Sequence, residues 1–184
     1  MDCSVIITTH NRSKILRESL ISLANQSISK ENYEILVADN YSDDKGEGSR
    51  IVCEEIKNIF PDLKLYFKKQ FLKVGITQTR HELILKASSE IIVTGDDDYI
   101  ASPSLLENAI KTFENNSIGI VAGPLEPKYE AKPPEWLKNM ITKTVNGYFI
   151  VDLSVLDFGE ETFETESKYA FWSNMAFRKS IYEK

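Results

Sequence analysis

Cysteine and histidine are scarce, two of each in 184 residues. Cys3 and Cys53 are too few and too far apart to staple a fold or build a zinc site. Each sits in an apolar run, the place of a small buried hydrophobe. His10 and His81 are too isolated for a metal pair and are read as polar contacts or loop residues. No stretch approaches the roughly 20 apolar residues of a membrane span. Asp2 follows Met1 and the next apolar run is short, so no secretory leader is expected. The expectation is a cytoplasmic chain, with peripheral attachment at the inner face of a membrane left open. A basic excess is also missing. Lys and Arg number 22 against 28 Asp and Glu, a net charge of -6. That excludes a general nucleic-acid binder, though not a local basic pocket for phosphate. No Gly-Lys-Ser/Thr loop and no Gly-x-Ser-x-Gly elbow occur, which disfavours a P-loop ATPase and an ordinary serine hydrolase. Gly46-Glu47-Gly48 lacks the third glycine of a dinucleotide fingerprint, Ile51 standing there. It is read as a flexible loop.

What is present is an ordinary globular composition, 42% hydrophobic and 27% charged, long enough for one domain with a proper core. Ser4 to Thr9 is a continuous β-branched run, as for a strand buried on both faces. A helix is predicted from Ser13 to about Asn25, with Leu16, Leu20 and Leu23 on one side. Further strands are predicted at Tyr33 to Asp39, Leu63 to Phe67, Ile91 to Gly95 and Ile118 to Ala122. Helices are predicted at about Arg50 to Phe60, Thr77 to Ala87 and Ser102 to Asn115, the last opened by a Ser102-Pro103 cap. Such alternation means a doubly wound, mostly parallel α/β sheet with helices on both faces, binding ligands beyond the carboxyl ends of its strands. After Gly123 the alternation fails. Prolines mark an irregular segment, Gly147 to Leu153 is a candidate strand, and Glu160 to Glu166 is acidic and solvated. Phe171 to Arg178 is a last strand, with a helix starting at Ser180.

The most informative stretch is Ile91 to Tyr99, an apolar strand that empties through Gly95 into Asp96, Asp97 and Asp98. Three adjacent carboxylates repel, and a cation is the usual reason to keep them together. Carboxylates suit Mg²⁺ or Mn²⁺, which often reach protein through one or two carboxylates plus substrate phosphates. Asp39 also ends a strand, where closing a turn is an alternative role. Trp136, in Pro133-Pro134-Glu135-Trp136-Leu137, is either a packing anchor or a platform for a sugar ring.

In order along the chain, Ser4 to Arg12, Glu34 to Asp43, Gly75 to Arg80, Thr94 to Tyr99 and Asn174 to Lys179 resemble the motifs of the GT-A glycosyltransferases of family 2. The resemblance implies a GT-A, Rossmann-like fold. It implies a donor-binding half over 1–123 and an acceptor-side segment of the same domain over 124–184. The expected activity is transfer of a sugar from a UDP-sugar to a glycan or lipid-linked sugar acceptor, metal-assisted and inverting. Carried across, Thr8, Thr9, His10, Arg12, Asp39, Arg80, Asp96 and Asp97 form the nucleotide site. In it Thr9 and His10 flank the base, Asp39 accepts the uracil N–H, Arg80 faces the diphosphate and Asp96 reaches the ribose. Asp98 holds Mg²⁺ or Mn²⁺. The catalytic base is expected in an acidic motif beyond Lys184, and Glu160, Glu161, Glu164 and Glu166 are not assigned that role. Departures from the pattern are Thr8 for a proline, His10 for a tyrosine, Asn40 for a second aspartate and Tyr41 for a glycine. The last bears on the backbone, since glycine permits positive φ. Two other readings were weighed: a non-catalytic nucleotide-binding module, and a nucleotidyltransferase, which usually opens with a glycine-rich loop absent from Thr8 to Ser13.

Overall fold

A computed structural model describes residues 1–129, 131–143, 148–150, 155–157, 159 and 171–182. Strands β1 (Cys3–Thr9), β2 (Tyr33–Asp39), β3 (Lys64–Lys69) and β4 (Ile91–Asp96) alternate with helices α1 (Ser13–Ala24), α2 (Glu47–Ile59) and α3 (Ile76–Lys86). Helix α4 (Leu105–Thr112) and strand β5 (Ile120–Ala122) follow. Short strands β6 (Thr142–Lys143), β7 (Tyr148–Ile150) and β8 (Val155–Asp157) form a separate antiparallel sheet, before β9 (Met175–Arg178) and α5 (Lys179–Tyr182).

The main sheet has the order β3-β2-β1-β4-β9-β5. β1 to β4 pair in parallel, whereas β9 is antiparallel to both its neighbours. The late segment therefore contributes an internal strand, inserted between β4 and β5. All seven residues of β1 and of β2 are buried. Val5 and Ile7 join Leu16, Leu20 and Ile56 on the face covered by α1, α2 and α4, while Ile6 joins Leu83 and Ile84 of α3 on the other. A strand's side chains alternate between faces, so burial on both sides demands an unbroken apolar run. Cys3 and Cys53 are buried and unpaired, and desolvation pushes both thiols up to about 12.

Three elements depart most from the sequence reading. Helix α2 begins at Glu47, so Gly46-Glu47-Gly48 is not a flexible loop. Asp44 accepts the N–H groups of Gly46 and Gly48 at 2.9 and 2.8 Å and caps this end. Gly46 is left-handed (φ +77°), and a Cβ there would stand 3.1 Å from Asp39 Cγ. Helix α4 starts at Leu105 and ends at Thr112, not at Ser102 and Asn115. Its Leu106 N–H is taken at 3.0 Å by the side chain of Gln26, a cap supplied from the end of α1. The last strand is Met175–Arg178 alone, because Trp172–Asn174 forms a 3-10 turn. In the proline segment, Leu137 is buried while Trp136 is 61% exposed, which removes the packing reading of Trp136. Of the predicted strand Gly147 to Leu153, Tyr148–Ile150 is observed. Glu160, Glu161, Glu164 and Glu166 lie outside the described residues.

Candidate donor site

β1, β2 and β4 end together at one edge, where Thr9 registers with Asp39 and Thr8 with Asp96. A sheet edge at which parallel strands stop and loops begin is the usual place for a ligand. Gly95 precedes the acids because the Tyr99 ring folds back over it, 3.2 Å from where a Cβ would be.

The three aspartates face different partners. Asp97 is 5% exposed and accepts the Thr9 hydroxyl at 2.7 Å. Arg12, just ahead of α1, donates to Asp97 Oδ1 at 3.3 Å and to Asp98 Oδ2 at 2.9 Å. Burial raises the Asp97 pKa, opposed by the Thr9 bond and by Arg12. The two carboxylates in turn raise the Arg12 pKa, Asp97 most. Asp96 turns to the other face of the sheet. Its Oδ1 accepts Arg80 Nη2 of α3 at 2.8 Å, and its Oδ2 takes a short hydrogen bond from the Ser173 hydroxyl. Arg80 sits over the Trp172 ring, its guanidinium carbon 4.2 Å from the centroid. Burial lowers its pKa, against the pull of Asp96. The Thr8 hydroxyl is buried and unbonded. Two arginines of the chain thus offset two of the three carboxylate charges, so each aspartate has a cationic partner without a metal.

Asp39 behaves differently. It is fully buried and receives three hydrogen bonds, from Ser42 N–H (2.8 Å), Ser42 Oγ (2.7 Å) and Ser49 Oγ (2.6 Å). The carboxylate ties the 40–46 loop to the first turn of α2, the turn-closing role, while the next residue, Asn40, is only partly buried. Asn40 Oδ1 accepts from Thr79 Oγ1 at 3.1 Å. Its carbonyl lies 3.1 Å from His10 Nδ1, which must therefore carry the proton, since a carbonyl only accepts. His10 is exposed and ties the first loop to the second. Tyr41 takes φ +64°, the left-handed conformation that the missing glycine would have eased.

Sequence reading missed Trp172 and Ser173 because Phe171 to Arg178 looked like one strand. The available signal was Thr94, a hydroxyl inside an apolar strand. It is fully buried and lies against the carbonyls of Trp172 and, at 2.9 Å, Met175.

As for a metal, no group of three or more His, Cys, Asp or Glu converges among the described residues. Asp98, its side chain 52% exposed and held by the half-exposed Arg12, is a hard oxygen donor that can be released. The donor set fits an ion such as Mg²⁺ or Mn²⁺ that keeps most of its shell for water and phosphate.

The sequence profile of glycosyl transferase family 2 matches residues 4–184. The chain belongs to that family. It is 32% identical over 126 residues to the minor teichoic acid biosynthesis protein GgaB of Bacillus subtilis, an alignment spanning 67% of this chain and 13% of that protein. It is 31% identical over 121 residues to the poly(ribitol-phosphate) beta-N-acetylglucosaminyltransferase TarS of Staphylococcus aureus, spanning 64% of this chain and 20% of TarS. Among solved structures, the mannosyltransferase PcManGT from Pyrobaculum calidifontis, in complex with GDP-Man and Mn²⁺, superposes with a TM-score of 0.71 at 19% identity, covering 99% of this chain and 46% of that one. TarS of S. aureus in complex with UDP-GlcNAc gives 0.69 at 19%, covering 100% and 47%. The fold is therefore GT-A, and the chain spans less than half the length of these proteins. No helix among the described residues is long and apolar enough to cross a membrane.

Proposed function

We propose that this glycosyltransferase domain transfers a sugar from a UDP-sugar to a hydroxyl of a glycan or lipid-linked acceptor, with inversion. The observation that carries the reading is the meeting of Thr9, Arg12, Arg80 and Asp96 to Asp98 at one sheet edge. Neighbours of the same fold are described with UDP-GlcNAc, or with GDP-Man and Mn²⁺. Residues 1–123 serve the donor and 124–184 the acceptor side. Thr8, Thr9 and His10 line the nucleoside. With Asp39 sealed, Asn40 is the group at the end of β2 that can meet the base. Arg80 and Arg12 offset diphosphate charge, and Asp96 supports Arg80 beside the ribose. Asp97 orients Arg12. Asp98 holds Mg²⁺ or Mn²⁺, which when bound stabilises charge on the departing diphosphate. The acceptor oxygen bonds to the anomeric carbon as the bond to the diphosphate oxygen breaks. The hydroxyl proton passes to a carboxylate base, a role assigned to none of the residues named above.

Calorimetric titration with UDP, with and without Mn²⁺, tests this. Binding that Mn²⁺ strengthens, and that loses this increment in Asp98→Ala, is expected. Absence of UDP binding, or binding indifferent to both metal and Asp98, sinks the reading.

A further inference from the structure

The sequence motifs place Arg80 and Asp96 in the donor site, yet what orients them comes from the other end of the chain. Both oxygens of Asp96 are occupied, one by Arg80 and the other by Ser173. Arg80 Nε is buried without a hydrogen-bond partner, so no bond there fixes the guanidinium plane. Its orientation rests on one Nη2 contact to Asp96 and on the Trp172 ring beneath it. Trp172 Nε1 is likewise buried and unbonded, so that side chain is placed by packing and by the stack. The turn carrying both residues is itself pinned. Thr94 Oγ1 lies against the carbonyls of Trp172 and Met175. Asn174 donates through Nδ2 to the Pro124 carbonyl at 2.8 Å and accepts the Gly123 N–H at 3.0 Å.

We propose that Trp172 and Ser173 are positioning residues that aim Arg80 at the donor diphosphate, so the acceptor-side segment sets donor affinity. The proposal rests on the donor-site reading above. A guanidinium stacked on an aromatic face loses little of its charge and most of its freedom to rotate, and the stack is strongest when water is excluded. Ser173 supplies the second half. By satisfying Asp96 Oδ2 it keeps that carboxylate from drawing further on Arg80, leaving the cation's outward charge for phosphate. Neither residue needs to touch the nucleoside.

The test is a ligand comparison. UDP and uridine are titrated, with Mn²⁺ present, against the wild-type chain, Trp172→Leu, Trp172→Phe and Ser173→Ala, each checked for an unchanged thermal midpoint. Trp172→Leu is expected to weaken UDP about tenfold, a loss typical of a partly desolvated cation–π contact. Uridine binding stays within about twofold of wild type. Trp172→Phe keeps a ring face and recovers most of the UDP affinity. Ser173→Ala loses roughly three- to fivefold on UDP alone, and stands in if Trp172→Leu fails to fold. Parallel losses of UDP and uridine, or a Phe variant no better than Leu, overturn the proposal and leave a structural role only. Wild-type protein that binds no UDP overturns the donor-site reading itself, and this inference with it.

Discussion

The two strands that flank β1 both end in carboxylates, and the two ends are built for different purposes. Asp39 closes β2 with no exposure and three hydrogen bonds, all from neutral groups, two on Ser42 of the following loop and one on Ser49 in the first turn of α2. Asp96, Asp97 and Asp98 close β4 with graded exposure and with arginines as partners. The first arrangement commits three of the carboxylate's roughly four acceptor positions to holding the chain that follows β2. In the second, a half-exposed arginine pairs with an exposed aspartate, an interaction worth little and therefore easily exchanged. The identity and exposure of a carboxylate's partners, rather than its place at a strand end, separate a scaffold acid from a site acid.

The contrast breaks most readily at Asp39. Asp39→Ala strands two serine hydroxyls and a backbone N–H in the core and should cost about 3–5 kcal/mol of stability. Urea unfolding measures this, and a loss under about 1 kcal/mol would put Asp39 on the site side of the comparison. At the other strand end, Asp98→Ala should change stability by less than about 0.5 kcal/mol. It should still abolish the Mn²⁺-dependent part of UDP affinity, as calorimetry would register. A marked drop in thermal midpoint would reassign Asp98 to the scaffold. Tyr41→Gly probes the sealed loop from the opposite direction. Tyr41 holds φ +64°, and relieving a left-handed side chain should raise stability by about 1 kcal/mol. An unchanged unfolding midpoint would show that the loop carries no such strain.

The smallest effect is expected at Asp97, the buried member of the exposed cluster. Burial raises its pKa above the ordinary carboxylate value despite the Thr9 bond and Arg12. The folded state therefore favours the protonated acid. That contribution is complete below the unfolded pKa, about 3.9, and is lost as pH rises through the raised folded value. Asp97→Asn is uncharged throughout. It should be more stable than wild type at pH 7 and equal to it below about pH 4. Unfolding at several pH values decides this. A variant less stable at pH 7 would mean that the Arg12 and Thr9 contacts outweigh burial.

Much of the fold was legible because its signals are local. The apolar runs at Ser4 to Thr9 and Tyr33 to Asp39 can be satisfied only by burial on both faces, and four strands and three helices fall within a few residues of expectation. Boundaries set by distant side chains were not legible. The first turn of α4 is capped by Gln26, two residues beyond the end of α1. The start of α2 depends on Gly46 fitting against Asp39. Site acids were visible as residue types, but their division of labour was not, since Asp96 and Asp97 point to opposite faces and meet different arginines.

The sequence by itself determined the alternating scaffold, the buried strands and the gathering of polar groups at their carboxyl ends, because periodicity and burial act over a few residues. It also carried the family's motifs in order. Only the tertiary structure decided that β9 enters between β4 and β5, its pairing with β4 joining residues more than 80 positions apart, which no local pattern encodes. That insertion brings Trp172 and Ser173 against Arg80 and Asp96. It also decided that Asp39 accepts from Ser42 and Ser49, because hydrogen bonds are allotted by which donors arrive within reach, and that is settled only when the loop has closed.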